Sequence, residues 1–142
     1  MFSHVIVPVD TADVTTAHQS LATAKLNLMP EGTITLLHVL EPLPAYIADQ
    51  LDANLMTTRH NDSMKVLESL RDKEGLGAKA KCVVETGRPY RKILELVANP
   101  VTDAIVMSGH SPKLSDVLLG SVASQVVRHA QCSVFVLRHQ SD

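Results

Sequence analysis

Two stretches hold most of the residues able to do chemistry. The first is Met107-Ser108-Gly109-His110, which leads through Ser111-Pro112-Lys113 to Leu118-Leu119-Gly120-Ser121. A Gly-Ser pair where a helix opens has a physical use. Glycine lets a ligand approach the backbone, and the first N–H groups of a helix lack internal partners. Those amides and the positive end of the helix dipole favour anions such as phosphates. The Ser121 hydroxyl would add a donor, or serve as an ordinary N-cap. The second stretch is Pro8-Val9-Asp10, at the end of an apolar run. The Asp10 carboxylate can accept hydrogen bonds from ribose hydroxyls, or cap the following helix.

Other nucleotide motifs are missing. No GxGxxG follows the first apolar run, and no GxxxxGK[ST] occurs anywhere, so neither a dinucleotide fingerprint nor a Walker A loop is supported. His110 is the sharpest catalytic candidate, as a base for water, against a plain role as a loop residue bonded to backbone. Proton removal beside phosphates needs a positioned base and usually a metal. The sequence shows no acidic metal cluster, which leaves Mg²⁺ held mainly through phosphates. Lys113 supplies a charge for phosphate or stays solvated. His129 would complement a helix dipole at a C-terminus, and His38 reads as a satisfied core group. Cys82 and Cys132 lack CxxC spacing and sit in apolar runs, so they read as reduced, buried thiols.

These residues must be positioned by alternating elements. Short Val- and Ile-rich runs occur at Val5–Val7, Ile34–Leu40, Lys81–Val84, Ala104–Met107 and Ser133–Leu137. Nearly continuous hydrophobicity of this kind marks strands covered on both faces. Between them lie four segments of helical spacing. Val14, Ala17, Leu21, Ala24 and Leu28 form the first, capped by Asp13 or Thr11 and ended by Pro30 with Gly32. Leu51, Leu55, Met64, Leu67 and Leu70 form the second, ending near Gly75 and Gly77. Pro89 opens a third through Ile93 and Val97, closed near Asn99-Pro100. Val122, Ala123, Val126 and Ala130 mark the fourth. The order predicts an α/β fold, a single doubly wound parallel sheet in one domain, 1–142. Ligands in such sheets bind beyond the carboxyl ends of the strands, where strand order reverses. Glu41 to Asp52, with Pro42 and Pro44, reads as irregular and as a cover over such a site.

Composition narrows the partners. The chain has 142 residues, 45% hydrophobic, 20% charged, with net charge -2. That balance argues against neutralising nucleic-acid phosphates and against a polybasic membrane anchor. With no Trp, two Phe and two Tyr, stacking platforms for single-stranded nucleic acid are not expected. No run approaches the roughly 20 apolar residues of a membrane span, and Met1 to Asp10 lacks the features of a signal peptide. The expected compartment is the cytoplasm.

Several segments together resemble the universal stress protein family over the whole length. They are Val5-Ile6-Val7-Pro8-Val9-Asp10, Leu37-His38-Val39-Leu40, Gly87-Arg88-Pro89, Gly109-His110, Leu118-Leu119-Gly120-Ser121-Val122, Val127-Arg128-His129-Ala130 and Cys132-Ser133-Val134-Phe135-Val136-Leu137. The resemblance implies a five-stranded sheet of order 3-2-1-4-5, of the adenine-nucleotide alpha hydrolase-like type. It implies adenine near Pro8, Val9 and Val39, ribose near Asp10, and phosphates near Ser108, Gly109, His110, Lys113, Gly120, Ser121, Val122 and Ala123. Gly109 and Gly120 stand eleven residues apart, closer than in the family's G-x2-G-x9-G-[ST] pattern, and the middle glycine is missing. The chain is similar in this to ATP-binding members with a shortened Ser-His-X-Pro loop, and the shortening favours ADP or AMP.

The expectation is therefore a stress-response regulatory module that binds ATP, ADP or AMP and signals its nucleotide state to a protein partner. A slow ATPase or autophosphorylating enzyme is one alternative, with Ser121, Ser111 or His110 as acceptor or base. A dimer module without nucleotide is the other. The last strand, Cys132 to Leu137, would be an apolar sheet edge, a hazard that pairing with a second copy removes. A homodimer is expected there.

Overall fold

In the computed structural model the described residues are 1–48, 53–98, 102–109 and 119–138. Five strands carry the fold: β1 (Phe2–Pro8), β2 (Leu28–Leu40), β3 (Ala80–Thr86), β4 (Ala104–Ser108) and β5 (Ser133–Leu137). They form one sheet of order β3-β2-β1-β4-β5, and every pairing is parallel. This is the expected 3-2-1-4-5 order. Helices α1 (Val14–Leu26), α2 (Ala45–Ala48), α3 (Ala53–Lys73), α4 (Pro89–Ala98) and α5 (Ser121–His129) lie between the strands.

Alternation along the strands divides the core in two. Val5, Val7, Ile34, Leu36 and Val106 pack with Ala17, Leu21, Leu67 and Leu70 of α1 and α3. Ile6, Leu37, Ile105 and Met107 pack with Ile93, Ala123 and Val126 of α4 and α5. Each strand interior is thus apolar on both faces, which is why the runs read as continuous. The helices contribute only stripes. In α3 the first side chain to be buried is Ser63, and Asn54–Thr58 and His60–Asp62 are exposed. The start of this helix stands clear of the sheet.

The first helix ends earlier than its spacing predicts, and β2 begins where the helix was expected to finish. Asn27 stops it: its side-chain amide donates to the Thr23 carbonyl at 2.9 Å, and its own carbonyl accepts from the Phe2 N–H at 2.7 Å. Pro30 and Gly32 then sit inside a strand irregularity, because Phe2 pairs with Leu28 but His4 pairs with Thr33. Leu28 turns into the core, while Met29, Pro30 and Glu31 turn out. A Cβ on Gly32 would lie 2.7 Å from the Leu28 side chain, so glycine is what lets the chain fold back over Leu28. The segment after β2 also differs from expectation, since Ala45–Ala48 form a helical turn. Ile47 N–H donates to the Pro44 carbonyl at 2.9 Å, and Pro44 suits the entry to a helix because it needs no donor there. Leu51, Asp52, Asn99 and Pro100 lie outside the described residues.

At the amino ends of the strands a polar network closes the sheet. The Asp103 carboxylate accepts from the Ser3 N–H, the Ser3 hydroxyl and the His4 N–H. The Ser3 hydroxyl, then the two amides, hold this carboxyl below its ordinary range. His4 reaches Thr33 Oγ1 at 2.8 Å through Nδ1 and Thr35 Oγ1 at 3.3 Å through Nε2. Burial lowers the His4 pKa, against the opposing pull of Asp103.

Candidate functional site

The opposite end of the sheet opens into a cleft of about 400 Å³. β1 stops at Pro8, and the Val9 N–H makes a last rung to the Leu37 carbonyl at 2.8 Å. The chain then turns. Asp10 Oδ1 accepts from the Ala12 N–H at 2.9 Å, and the Asp10 carbonyl accepts from the Asp13 N–H at 3.0 Å. Asp13, one of the two expected caps, is the N-cap of α1. Its Oδ1 accepts from the Thr16 N–H at 3.3 Å. Asp10 therefore shapes the turn and does not cap the helix, and it borders the cleft.

β2 runs on beyond β1. In a parallel ladder the N–H and C=O of one residue point the same way and alternate along the strand. Pro8 pairs with Leu37, so Val39 turns its backbone N–H and C=O to the same side as Leu37, past the last rung. They face the cleft. The Val9 carbonyl accepts from His38 Nδ1 at 2.8 Å. A carbonyl only accepts, so the proton sits on Nδ1 and a neutral His38 keeps Nε2 as an acceptor. His38 is half-buried and lines the cleft, so it is satisfied as expected but is a wall residue and not the core group that was expected.

Leu37, Met107, Pro89 and Ile93 give the cleft an apolar wall. α5 starts beside them. Gly120, not Ser121, is its N-cap, with φ −62 and ψ 158 and no side-chain cap bond. Ser124 N–H is the first to bond back into the helix, to the Gly120 carbonyl at 2.9 Å. The amides of Ser121, Val122 and Ala123 precede it, so they have no intrahelical acceptor.

The glycines have different work from that expected of them. The Gly120 N–H donates to the Gly109 carbonyl at 2.7 Å, and the Gly109 N–H donates to the Leu137 carbonyl at 2.7 Å. Both amides are spent on protein. A Cβ on Gly109 would lie 2.8 Å from Val136 Cγ1 and 3.2 Å from the Leu137 carbonyl oxygen. Glycine is needed there for strand packing. Among the described residues, the phosphate-type donors of this cleft are thus the three amides that open α5.

Pro8, Val9, Asp10, Val39, Ser108, Gly109, Gly120, Ser121, Val122 and Ala123 all border this one cleft. His110 and Lys113, with Ser111 and Pro112, lie outside the described residues. Sequence reasoning missed Thr16, Ser20 and Ala17 of α1, and Pro89 and Ile93, whereas Glu41 was expected as the start of a cover over the site. One signal was present: Asp13, Thr16, Ala17 and Ser20 fall at i, i+3, i+4 and i+7, a single helix face on which half the side chains are hydroxylated. The wall carries three carboxylates, of Asp10, Asp13 and Glu41, and no Lys or Arg among the described residues. Among those residues no group of three His, Cys, Asp or Glu side chains is placed to hold a metal ion. Cys82 and Cys132 are unbridged and away from the cleft. Both are half-buried rather than buried, and burial raises both thiol pKa values. No helix of the described residues is long and apolar enough to cross a membrane.

Comparison with known proteins agrees with this fold. Universal stress protein G of Shigella flexneri is 27% identical over 142 residues, spanning 97% of this chain and 100% of that one. The solved structure of the hypothetical protein MJ0577 superposes with a TM-score of 0.84 at 23% identity, over 100% of this chain and 99% of that chain. A universal stress protein in complex with cAMP superposes with a TM-score of 0.66 at 17% identity, covering 99% of each chain. One from Archaeoglobus fulgidus in complex with dAMP gives 0.63 at 17% identity, over 94% of this chain and 96% of that one. The profile of the universal stress protein family matches residues 1–138, and the chain belongs to that family.

Proposed function

We propose that this chain binds an adenine nucleotide in the cleft and acts as a stress-response regulator whose nucleotide state a partner protein reads. The observation that carries this reading is the pairing of two sets of backbone polar groups on one cleft. Val39 presents a strand edge, an N–H and a C=O side by side, with the apolar surfaces of Leu37, Met107 and Ile93 in the same cleft. A purine with a donor next to an acceptor fits such an edge. The same cleft is bordered by the amides of Ser121, Val122 and Ala123 and the dipole of α5, which favour an anion. The cAMP and dAMP held by the two structural neighbours support the same ligand class.

The charge pattern favours few phosphates. Three carboxylates border the cleft, and the Gly109 and Gly120 amides are already engaged. One phosphate on three amides is well served; a triphosphate needs a counter-ion such as Mg²⁺, held through its own oxygens. AMP, or ADP, is the preferred ligand on this reading, and ATP binds with Mg²⁺.

The assembly we propose is a homodimer through β5, which lies at the sheet edge, in the cytoplasm. Titration calorimetry with AMP, ADP and ATP tests the binding. Micromolar affinity, about 8 kcal/mol, is expected for AMP. Absence of heat with all three at millimolar concentration would remove the nucleotide from the function.

A further inference from the structure

Ser20 is out of keeping with its surroundings. It lies in the middle of α1, is 1% exposed, and borders the cleft. Its hydroxyl has no hydrogen-bond partner among the described residues, not even the Thr16 carbonyl one turn back. The neighbouring polar groups differ in this respect. Thr16 Oγ1 donates to the Asp13 carbonyl at 3.0 Å, and Asp13 Oδ1 takes the Thr16 amide. A buried hydroxyl left unpaired costs stability, while alanine at that position would cost nothing in helix propensity. Such a group is kept where something outside the fold completes it.

The chemistry of the α1 wall says what that is. Asp10 and Asp13 each commit one oxygen to a turn or cap amide, and each carboxylate has a second oxygen. The backbone amides of the α1 interior are consumed by the helix. The wall therefore offers acceptors, negative charge and the one Ser20 hydroxyl. It repels phosphate and attracts neutral groups that donate hydrogen bonds. In a nucleotide whose base faces Val39 and whose phosphate faces α5, the remaining donors are the ribose hydroxyls. From Ser20 to Asp13 the wall rises about 10 Å.

We propose that Ser20 reads a ribose hydroxyl of the bound nucleotide, directly or through one water, which makes it a specificity-determining residue. The proposal rests on the nucleotide reading given above. The test is calorimetry of the full chain and of Ser20→Ala with AMP, 2′-deoxy-AMP and 3′-deoxy-AMP, together with the melting temperature of each protein without ligand. The wild type is expected to favour AMP over at least one deoxy analogue by about threefold to tenfold. Ser20→Ala is expected to lose that preference, binding AMP and the analogue alike, and to melt no lower than the wild type. A preference that survives in Ser20→Ala, or a wild type that binds all three equally, overturns the proposal. So does a clear fall in melting temperature, which would mark the hydroxyl as serving the fold. A wild type that binds none of the three removes the nucleotide reading and this proposal together, whereas normal AMP binding with unchanged discrimination removes the role of Ser20 alone.

Discussion

The amide of Gly120 donates to the carbonyl of Gly109 at 2.7 Å, and the Gly109 amide passes the connection on to Leu137 at 2.7 Å. Two backbone hydrogen bonds thus tie the turn that opens α5 to the end of the edge strand. Gly109→Ala would place a methyl 2.8 Å from Val136 Cγ1 and force β4 and β5 apart. A destabilisation of about 1–3 kcal/mol is expected, read as a lowered urea midpoint. An unchanged midpoint would mean that the strands yield without cost.

Removing divalent cation should separate the nucleotides. With Asp10, Asp13 and Glu41 around the cleft, chelator should weaken ATP about tenfold or more and leave AMP within about twofold, as expected for added anionic charge near carboxylates. Calorimetry with and without Mg²⁺ checks this. Equal loss for both ligands would place the cation on the protein instead of on the phosphates.

Acid should destabilise the chain through His4. Burial holds its folded pKa below the ordinary 6.5, so the unfolded chain binds the extra proton first. This contribution is complete above pH 6.5 and is lost as pH falls from there through the folded value. Urea midpoints at pH 7.5, 6.5 and 5.5 should fall over the acid half of that range, and His4→Gln should flatten the fall. A slope that is the same in both proteins would assign it to other groups.

The β5 edge makes a geometric prediction about assembly. Leu137 and Ser133 turn their backbone toward the sheet: the Leu137 carbonyl accepts from Gly109, and the Ser133 N–H donates to Asp103 at 3.3 Å. By alternation the N–H of Val134 points outward. Proline is tolerated at edge positions of this kind. Val134→Pro should therefore retain its circular dichroism yet sediment as a monomer where the wild type sediments as a dimer. A wild-type monomer at tens of micromolar would remove the proposed dimer.

Much of the fold was legible because each strand is apolar on both faces, and because Asp13, Pro89 and the Gly120-Ser121 pair punctuate the helices. The end of α1 was misplaced because Pro30 and Gly32 normally stop helices. Here they serve a strand irregularity that depends on Leu28 being buried, a tertiary fact. The residues of the cleft named from the chain ends of β1, β2 and β4 do meet in space. Thr16 and Ser20 were passed over, since periodicity draws attention to the apolar members of a stripe and not to its small polar ones. The work of Gly109 was out of reach for a different reason. Its neighbours Val136 and Leu137 are far away in sequence, and only the β4–β5 register brings them against it.

The exposed opening turns of α3 have a consequence for motion. From Asn54 to Asp62 little side-chain burial supports the helix, and Thr57, Thr58, His60 and Asn61 are poor helix formers. Their backbone should open by local fraying, whereas the turns holding Leu67 and Leu70, 0% and 2% exposed, open only when the whole domain does. Deuterium uptake along this one helix should then divide near Ser63, fast before it and slow after it.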